Sequence, residues 1–544
     1  MKAHSRSGFL GCMVLLGVCV LQCFFWPSAA EAASQEPVKD TSQLLAVFPD
    51  EPEAGEEFAQ NRRTFKGYKG RGEITLKNHG AQTAEVYING RKIPLEGLLD
   101  LPAGTATLPI GEYCRDGVNT LKVLNIQPAR ASLEVRVAYP VLITGSPEQA
   151  GFSAAGLRRI DRVLEDEVQK GFPGAVLLVM RNGRIVKQTA YGWAKMYEQT
   201  QLLPEAKRQS MQVNTMFDLA SNTKMYATIL AFMKLTEEGR VSPEDKIVQY
   251  LPEYTGDGRE EICIRDIMTH SAGYAAVFPF NQSSAGEFYS RQREKTISLL
   301  CKVPLTYPRG TKTLYSDTDY MLLAAILEKI TGRQLDAYVE QEIYYPLGLS
   351  HILFNPLRKG FKPSDFAATE PCGNTRSGMV SFPGIRSYTI QGEVHDERAF
   401  YAMDGVSGHA GLFSNAQDLA VLAQLMLNQG GYGGYRLCSA KTLEYFTKPT
   451  DANPLFGLGW NKMSMPGRVW EFGPYASGQA IAHSGWTGTD ICIDPAYDLA
   501  IVLLTNRVHA PNVPGKPNTF QMDDFAACSY GSILAMVYEA FMEK

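Results

Sequence analysis

The chain has 544 residues, 45% of them hydrophobic, and its 53 basic and 57 acidic side chains leave a formal net charge of −4. This length and balance are typical of a soluble globular protein with two or more domains. Basic residues do not cluster anywhere along the chain, which argues against a nucleic-acid-binding function. We therefore predict no nucleic-acid partner.

The N-terminal segment 1–32 is typical of an export signal. Two basic residues precede an apolar run from Phe9 to Trp26, and small residues follow up to a cleavage site expected before Ala33. The run is also long enough for a short membrane span, so an uncleaved N-terminal anchor is the alternative. Both interpretations predict an exported protein, periplasmic or extracellular, and the second attaches it to the inner membrane.

Ten cysteines occur in the chain, and those beyond residue 32 are widely spaced, without any Cys-x-x-Cys pair. This spacing predicts neither a zinc site nor a dense disulfide framework. His395, Asp396, Glu397 and His409 have side chains that bind metals, but they lack a recognisable ligand spacing. We expect these four residues to form structural hydrogen bonds, and we predict no metal and no cofactor.

Two segments precede the main domain. Residues 33–63 are acidic and lack regular patterning, so they predict a flexible linker. Residues 64–141 contain five or six short alternating segments, with a hairpin turn signal at Asn89-Gly90, and predict a small β-sandwich. This segment loosely resembles the galactose-binding-like sandwiches of secreted hydrolases. A glycan-binding module and a packing spacer are its two interpretations.

Residues 147–544 predict an α+β domain. Ser153 is placed to cap a helix, and a strand hairpin follows from Ala175 to Thr189. Helical segments then continue to about residue 430, and strand-like runs return at 488–493 and 499–505 before a terminal helix from Tyr530. This order predicts an antiparallel sheet built from both chain ends, flanked by helices, with a helical subdomain between its halves.

Ser221 and Lys224 are the first candidate catalytic residues. Apolar residues recur at helical spacing after Ser221, so its side chain lies at the first turn of a predicted helix, close to backbone N–H groups. Lys224 lies three residues further and therefore shares a face with Ser221. A partly desolvated amine at that position can accept the serine proton.

Two later stretches offer the other groups that acyl transfer needs. Tyr315-Ser316-Asp317 follows a turn signal, and His483-Ser484-Gly485-Trp486 precedes a predicted strand. With Ser-x-x-Lys, these motifs resemble, in order, those of the serine β-lactamases and penicillin-binding proteins, in the class C-like branch. The stretches 218–228 and 392–397 are most similar to the penicillin-binding protein 4B and D-alanyl-D-alanine carboxypeptidase group.

The resemblance implies the transpeptidase-like fold of that family and a division of roles. Ser221 would be acylated, and Lys224 or Tyr315 would take its proton. The backbone N–H groups of Ser221 and Trp486 would form the oxyanion hole, within a substrate-binding group that comprises Asp317, His483, Ser484, Gly485 and Trp486.

Two residues depart from the family pattern. Asp317 stands where the family usually has asparagine, and a carboxylate near Lys224 favours the charged amine, which makes Tyr315 the expected proton acceptor. His483 replaces the usual lysine and carries at most a partial charge at neutral pH. We therefore expect weaker recognition of a substrate carboxylate than in a strict transpeptidase.

The resemblance predicts a D-alanyl-D-alanine carboxypeptidase that acts on peptidoglycan stem peptides through an acyl-serine, with β-lactams as covalent ligands. The same residues suit a family VIII-type carboxylesterase or a class C-like β-lactamase acting on a small ester or peptide. A non-catalytic peptide- or glycan-binding protein is the alternative from another class.

Overall fold

The computed structural model describes five segments of the chain: 42–49, 61–100, 103–449, 456–465 and 467–542. The predicted export signal or anchor in residues 1–32 lies outside these segments. In the part of the chain that is described, no helix combines the length and the apolar character that a membrane span requires.

The N-terminal domain is a β-sandwich of two four-stranded antiparallel sheets, in the orders β1-β8-β3-β6 and β2-β7-β4-β5. Alternate side chains of both sheets form its apolar core. The predicted hairpin turn is present between β4 and β5, with Asn89 at φ 52° and Gly90 at φ 81°. The strands are β1 (Leu44–Phe48), β2 (Arg62–Gly67), β3 (Glu73–His79), β4 (Thr83–Ile88), β5 (Arg91–Ile93), β6 (Thr105–Pro109), β7 (Gly117–Gln127) and β8 (Ser132–Val137).

The prediction that residues 33–63 form a flexible linker is wrong for the middle of that range. Strand β1 lies inside that range and pairs with β8 along its whole length. Leu44, Ala46 and Phe48 are buried in the sandwich core and alternate with exposed residues, which is the pattern of a half-buried strand. The acidic residues around this short run hid its alternation, and the sandwich therefore begins before residue 64.

The main domain is built on an eight-stranded sheet in the order β12-β11-β10-β16-β15-β14-β13, with β9 parallel beside β11. The other neighbours are antiparallel, so the predicted sheet from both chain ends is confirmed. Its strands are β9 (Ile143–Thr144), β10 (Gly174–Arg181), β11 (Arg184–Lys195), β12 (Gln209–Ser210), β13 (Asn461–Lys462), β14 (Ile481–Gly485), β15 (Thr489–Asp494) and β16 (Leu499–Thr505).

Helices cover both faces of this sheet, as predicted for an α+β domain. Ser153 caps α1 by accepting a hydrogen bond from the Gly156 N–H at 3.1 Å. The α-helices are α1 (Ala154–Gln169), α2 (Leu230–Glu237), α3 (Ile264–Met268), α4 (Arg293–Leu300), α5 (Asp317–Thr331), α6 (Leu335–Val339), α7 (Glu397–Ala402), α8 (Ala416–Leu427), α9 (Ala440–Thr447), α10 (Val469–Phe472) and α11 (Tyr530–Met542).

The two faces of the central strands serve two separate cores. Leu177 of β10 and Ile501 of β16 pack with the apolar residues of α1 and α11. The alternate residues Leu178 and Val502 pack with α2, α5 and α8 in the larger core. Because both faces are buried, β10 and β16 read as continuous apolar runs, unlike the alternating strands of the sandwich.

Polar side chains of the sandwich dock it onto the main domain. The Lys66 ammonium pairs with Asp498 at 2.5 Å and donates to the Leu427 carbonyl at 2.8 Å. The Arg71 guanidinium donates to the carbonyls of Asn182 and Gly183, in the turn between β10 and β11. The sandwich therefore braces the hairpin at the start of the main sheet.

Candidate active site

Ser221 lies in a constrained turn between a short strand and a helix. The strand Phe217–Asp218 pairs with Leu412–Ser414, and the Asp218 carboxylate accepts the Ala220 N–H at 2.8 Å. Ala220 has φ 44°, a left-handed conformation that costs a non-glycine residue about 1–3 kcal/mol. Strain of this kind is common where a nucleophile is held in one orientation.

The helix after Ser221 is not the regular α-helix that the apolar spacing predicts. Residues Lys224–Ile229 form a π-helical turn, which continues as α2. π-Helical turns widen a helix locally and are frequent at functional sites. All six residues of this turn are buried, Lys224 among them.

The structure brings Ser221, Lys224 and Tyr315 together. The Lys224 Nζ lies 3.1 Å from the Ser221 Oγ, and the Tyr315 hydroxyl lies 2.7 Å from the same oxygen. Lys224 also donates to an Asp317 carboxylate oxygen at 2.9 Å and to the His409 carbonyl at 3.3 Å. The serine oxygen thus accepts two hydrogen bonds from groups that can exchange its proton.

The charges of this group follow from burial and pairing. Burial alone would lower the pKa of Lys224, but the Asp317 carboxylate and the Tyr315 hydroxyl outweigh it and raise the pKa above its usual value. Burial raises the pKa of Tyr315, although the charge of Lys224 acts against that rise. Lys224 is therefore a cation and Tyr315 a neutral hydroxyl at neutral pH.

Asp317 is buried, and its carboxylate lies between the cations of Lys224 and Arg398. Burial disfavours its charged form, but Lys224 and Arg398 overcome burial and lower the pKa of Asp317 to about 2. Its second oxygen lies 3.1 Å from the Arg398 guanidinium. The membership of Asp317 in the substrate-binding group stays a prediction, and the contacts of its carboxylate are with Lys224 and Arg398.

The two N–H groups expected to form the oxyanion hole belong to Ser221 and Trp486, and both residues line the same cleft. Among the described residues, neither backbone N–H donates to another protein group. Gly485, the last residue of β14, holds the strand against the serine turn. A Cβ at that position would lie 2.4 Å from the Leu219 carbonyl oxygen and 2.4 Å from the Thr489 hydroxyl, so only glycine fits.

A cleft of about 460 Å³ opens over the Ser221 hydroxyl. Five residues from the predicted motifs line it besides Ser221: Tyr315, His483, Ser484, Gly485 and Trp486. No sequence motif indicates the remaining lining residues, which are Asn461, Arg468, Trp470, Arg507, Cys528 and Tyr530.

His483 is neutral in this cleft. Its Nδ1 lies 2.9 Å from the Ser484 carbonyl oxygen, which can only accept, so Nδ1 carries the proton. Burial lowers the pKa of His483 well below its usual value, and the charge of Lys224 acts in the same direction. The imidazole thus offers no charge to a substrate carboxylate.

We expect this neutrality to appear in the pH dependence of substrate affinity. A lowered pKa leaves His483 uncharged throughout pH 6–8, so the KM for an anionic substrate should change by less than about twofold over that range. The measurement is KM against pH for wild type and for His483→Gln, which is neutral at every pH. A KM that rises severalfold from pH 6 to 8 in wild type but not in His483→Gln contradicts this assignment.

The four residues considered as metal ligands are engaged in ion pairs and hydrogen bonds. His395 bonds Glu370 at 2.6 Å, and Glu397 pairs with Arg376 at 2.7 Å. His409 bonds the Asp396 carboxylate at 3.0 Å, and Asp396 also caps α7.

One combination of these residues has the compactness of a metal site. Asp317, Asp396 and His409 offer ligand atoms within 4.8 Å of one another. However, the Arg398 guanidinium already bonds both carboxylates. We therefore assign this cluster to charge pairing.

Comparisons with known proteins agree with this geometry. The family described as "Beta-lactamase" matches residues 160–522. The chain belongs to the beta-lactamase family. The resemblance and the predicted fold class are confirmed, and the protein is a serine hydrolase of that fold.

Relatives of this family member carry two different names. A Bacillus subtilis (strain 168) protein named "N-acetylmuramyl-L-alanine amidase" is 51% identical over 402 residues, which cover 72% of this chain and 91% of that protein. An Escherichia coli (strain K12) protein named "Putative D-alanyl-D-alanine carboxypeptidase" is 45% identical over 416 residues, which cover 75% of this chain and 95% of that protein.

Two solved structures share the fold at low sequence identity. A penicillin-binding protein homologue from Caulobacter crescentus has a TM-score of 0.51 and 18% identity, and covers 72% of this chain and 99% of its own. EstCE1, described as a hydrolase with promiscuous acyltransferase activity, has a TM-score of 0.52 and 22% identity. The match covers 71% of this chain and 98% of EstCE1.

Proposed function

We propose that this protein is a serine amide hydrolase that cleaves peptidoglycan fragments through an acyl-Ser221 intermediate. The observation that carries the proposal is the convergence of Lys224 and Tyr315 on the Ser221 oxygen. Within the described part of the chain, the N–H groups of Ser221 and Trp486 have no protein acceptor, so they are free to bind a carbonyl oxygen. A nucleophile, its proton acceptor and an oxyanion hole are the parts that acyl transfer needs.

The proposed reaction has two halves. The Lys224–Tyr315 pair first gives up one proton to solvent and so becomes a proton acceptor. The Ser221 proton then passes to that pair as Oγ bonds the carbonyl carbon, and the carbonyl oxygen takes up the negative charge between the two N–H groups. The C–N bond then breaks, and the Tyr315 hydroxyl returns a proton to the leaving amine. Water repeats the sequence on the acyl-serine and releases the acid.

The favoured bond is the amide between the lactyl group of N-acetylmuramic acid and L-alanine. His483 is neutral, so the cleft does not place a histidine cation for a terminal carboxylate. Trp470 and Trp486 are 44% and 39% exposed, and both line the cleft, where indole faces suit the apolar faces of a sugar ring. The name of the 51% identical Bacillus subtilis relative supports the same bond.

The second candidate is the D-alanyl-D-alanine carboxypeptidase activity expected from the sequence. Arg468 and Arg507 lie in the cleft, and either guanidinium could hold a substrate carboxylate. Arg468 already pairs with Glu471 at 3.2 Å, and Arg507 pairs with Asp523. Those pairings reduce the charge available to substrate, so we place this activity second. An esterase or β-lactamase would use the same nucleophile.

A single substrate that contains both bonds can distinguish the two activities. N-acetylmuramyl pentapeptide ending in D-alanyl-D-alanine contains both, and mass spectrometry of the products shows which bond breaks. Free N-acetylmuramic acid with intact pentapeptide supports the amidase, whereas loss of one D-alanine supports the carboxypeptidase. A substrate that stays intact with wild type, under conditions where a reporter ester is hydrolysed, contradicts both.

The sugar-binding role of Trp470 gives a second test. Trp470 packs against Tyr530, with ring centroids 6.0 Å apart. Trp470→Ala should raise the KM for N-acetylmuramyl-L-alanine about fivefold, because an aromatic contact of this kind contributes on the order of 1 kcal/mol. The KM for a small p-nitrophenyl ester, which has no sugar, should stay within about twofold.

The matched control is Tyr475→Ala, which removes another exposed aromatic side chain that does not line the cleft. An equal rise in KM for both substrates in Trp470→Ala would show general damage to the cleft and would contradict sugar binding.

We also propose that the protein is exported, through the N-terminal segment 1–32. A peptidoglycan substrate and the export-type sequence of that segment support this location. Mass spectrometry of the mature protein distinguishes cleavage before Ala33 from a retained anchor, and an intact N-terminus on protein found in the cytoplasm would contradict export.

A further inference from the structure

Arg398 connects the catalytic lysine to a second buried carboxylate. It lies in α7, and its side chain is 13% exposed. Its guanidinium contacts one Asp317 oxygen at 3.1 Å and also pairs with Asp396, while the other Asp317 oxygen accepts the Lys224 ammonium at 2.9 Å. Each oxygen of Asp317 thus serves a different cation.

The resulting order is Lys224, Asp317, Arg398 and Asp396, in which two cations alternate with two carboxylates. Buried charges persist only when they are paired in this way. The imidazole of His409 adjoins the last carboxylate. Loss of Asp317 would leave the four-residue set with an excess positive charge, and loss of Arg398 would leave it with an excess negative charge.

We propose that Arg398 is a positioning residue for the hydrolysis proposed above. By binding one oxygen of Asp317, it limits the electrostatic hold of that carboxylate on Lys224. The Lys224–Tyr315 pair can then lose the one proton that activates Ser221. This inference rests on the proposed acyl-serine chemistry, and it explains how an aspartate can stand where the family usually has asparagine.

Other groups facing Lys224 do not supply a competing charge. Burial lowers the pKa of His270 to about 3, and the charge of Lys224 acts in the same direction. Burial also raises the pKa of Asp319, which bonds His270 at 2.9 Å, and so favours its protonated form. His483 is neutral, and the ring of Tyr320 lies 5.6 Å from the Lys224 ammonium. The balance therefore depends on Asp317, Arg398 and Asp396, together with the His409 imidazole that contacts Asp396.

The test is the pH dependence of Ser221 acylation by a chromogenic ester in four proteins: wild type, Asp317→Asn, Arg398→Met and the double variant. Lys224 and Tyr315 share their protons and titrate as a pair, so the acid limb of the profile reports the loss of one proton from that pair. Asp317→Asn should move this limb to lower pH by about one unit, and Arg398→Met should move it to higher pH by about one unit.

The double variant removes one charge of each sign. Its acid limb should therefore return to within about 0.3 units of wild type. At a fixed pH on the limb, a one-unit shift is a roughly tenfold change in the acylation rate. Movement of both single variants in the same direction, or a double variant further from wild type than either single one, would overturn the proposal.

The Arg398→Lys variant distinguishes an effect of the positive charge from a purely structural effect of the substitution. It keeps the positive charge and should restore the wild-type limb, even though a lysine cannot bond both carboxylates as a guanidinium does. If the acid limb of Arg398→Lys instead matches that of Arg398→Met, the positive charge of residue 398 does not set the limb, and the proposal is overturned.

A measurement without turnover separates this inference from the proposed function. In the Ser221→Ala protein, ¹³C-labelled lysine side chains can be titrated by NMR, with the Lys224 signal assigned by its absence in Lys224→Met. Arg398→Met should raise the Lys224 pKa and Asp317→Asn should lower it. An unmoved Lys224 signal overturns the role of Arg398, whereas absent acylation with a moving signal overturns only the proposed function.

Discussion

Replacing Ser221 with alanine should abolish turnover, with a fall in kcat/KM of about 10³–10⁶-fold. The change removes the oxygen that accepts from both Lys224 and Tyr315, and with it the atom that would attack the substrate carbonyl. Because the lost group is a small side chain at the cleft floor, the melting temperature should stay within a few degrees, roughly the effect of 0.5 kcal/mol. Ester hydrolysis and thermal melting measure the two effects.

Ser298→Ala is a suitable control for this change. Ser298 lies on α4, where its hydroxyl donates only to the Lys295 carbonyl at the helix surface. Its kcat/KM should equal that of wild type. Residual activity of Ser221→Ala within tenfold of wild type would show that the nucleophile lies elsewhere.

Lys224→Met should lower kcat by about 10²–10⁴-fold, the usual contribution of a positioned proton-transfer group. Methionine approximates the volume of the lysine stem but cannot exchange a proton with Ser221 or charge-pair with Asp317. Asp317 keeps its contact with Arg398, so the protein should fold with a modest loss of stability. The measurements are single-turnover acylation and urea unfolding.

The matched control is Lys329→Met, at the exposed end of α5, which should change neither quantity. If Lys224→Met retained acylation at wild-type rate and pH profile, the proton would pass to Tyr315 without help from the amine. That outcome would contradict the shared role of the pair.

The local patterns of the sequence predicted much of the fold because they report short-range preferences. The Ser153 cap, the Asn89-Gly90 turn and the terminal helix from Tyr530 all depend on a few neighbouring residues. Strand β1 was missed because its alternation is only five residues long and lies in an acidic stretch. Its assignment depends on pairing with β8, which no local pattern reveals.

The motifs predicted which residues would meet at the serine, but not the charges that surround them. Arg398 follows directly after a stretch that resembles the carboxypeptidase group, yet its meeting with Asp317 depends on tertiary packing. The π-helical turn at Lys224 also escaped prediction, because its apolar residues satisfy ordinary helical spacing equally well. Trp470 lies in α10, and Arg468 directly precedes that helix. Both residues line the cleft, and no sequence motif indicates either of them.

The strand order of the main sheet has a consequence for biosynthesis. Strand β10 is flanked by β11 and by β16, whose residue Thr505 pairs with Ala175. With the export proposed above, the sandwich can close once Val137 has emerged on the far side of the membrane, but β10 meets its second partner only when nearly the whole chain has followed. Its apolar edge is meanwhile unpaired, so the nascent chain should be a strong client of chaperones, and nearly all of the chain is needed before activity can emerge.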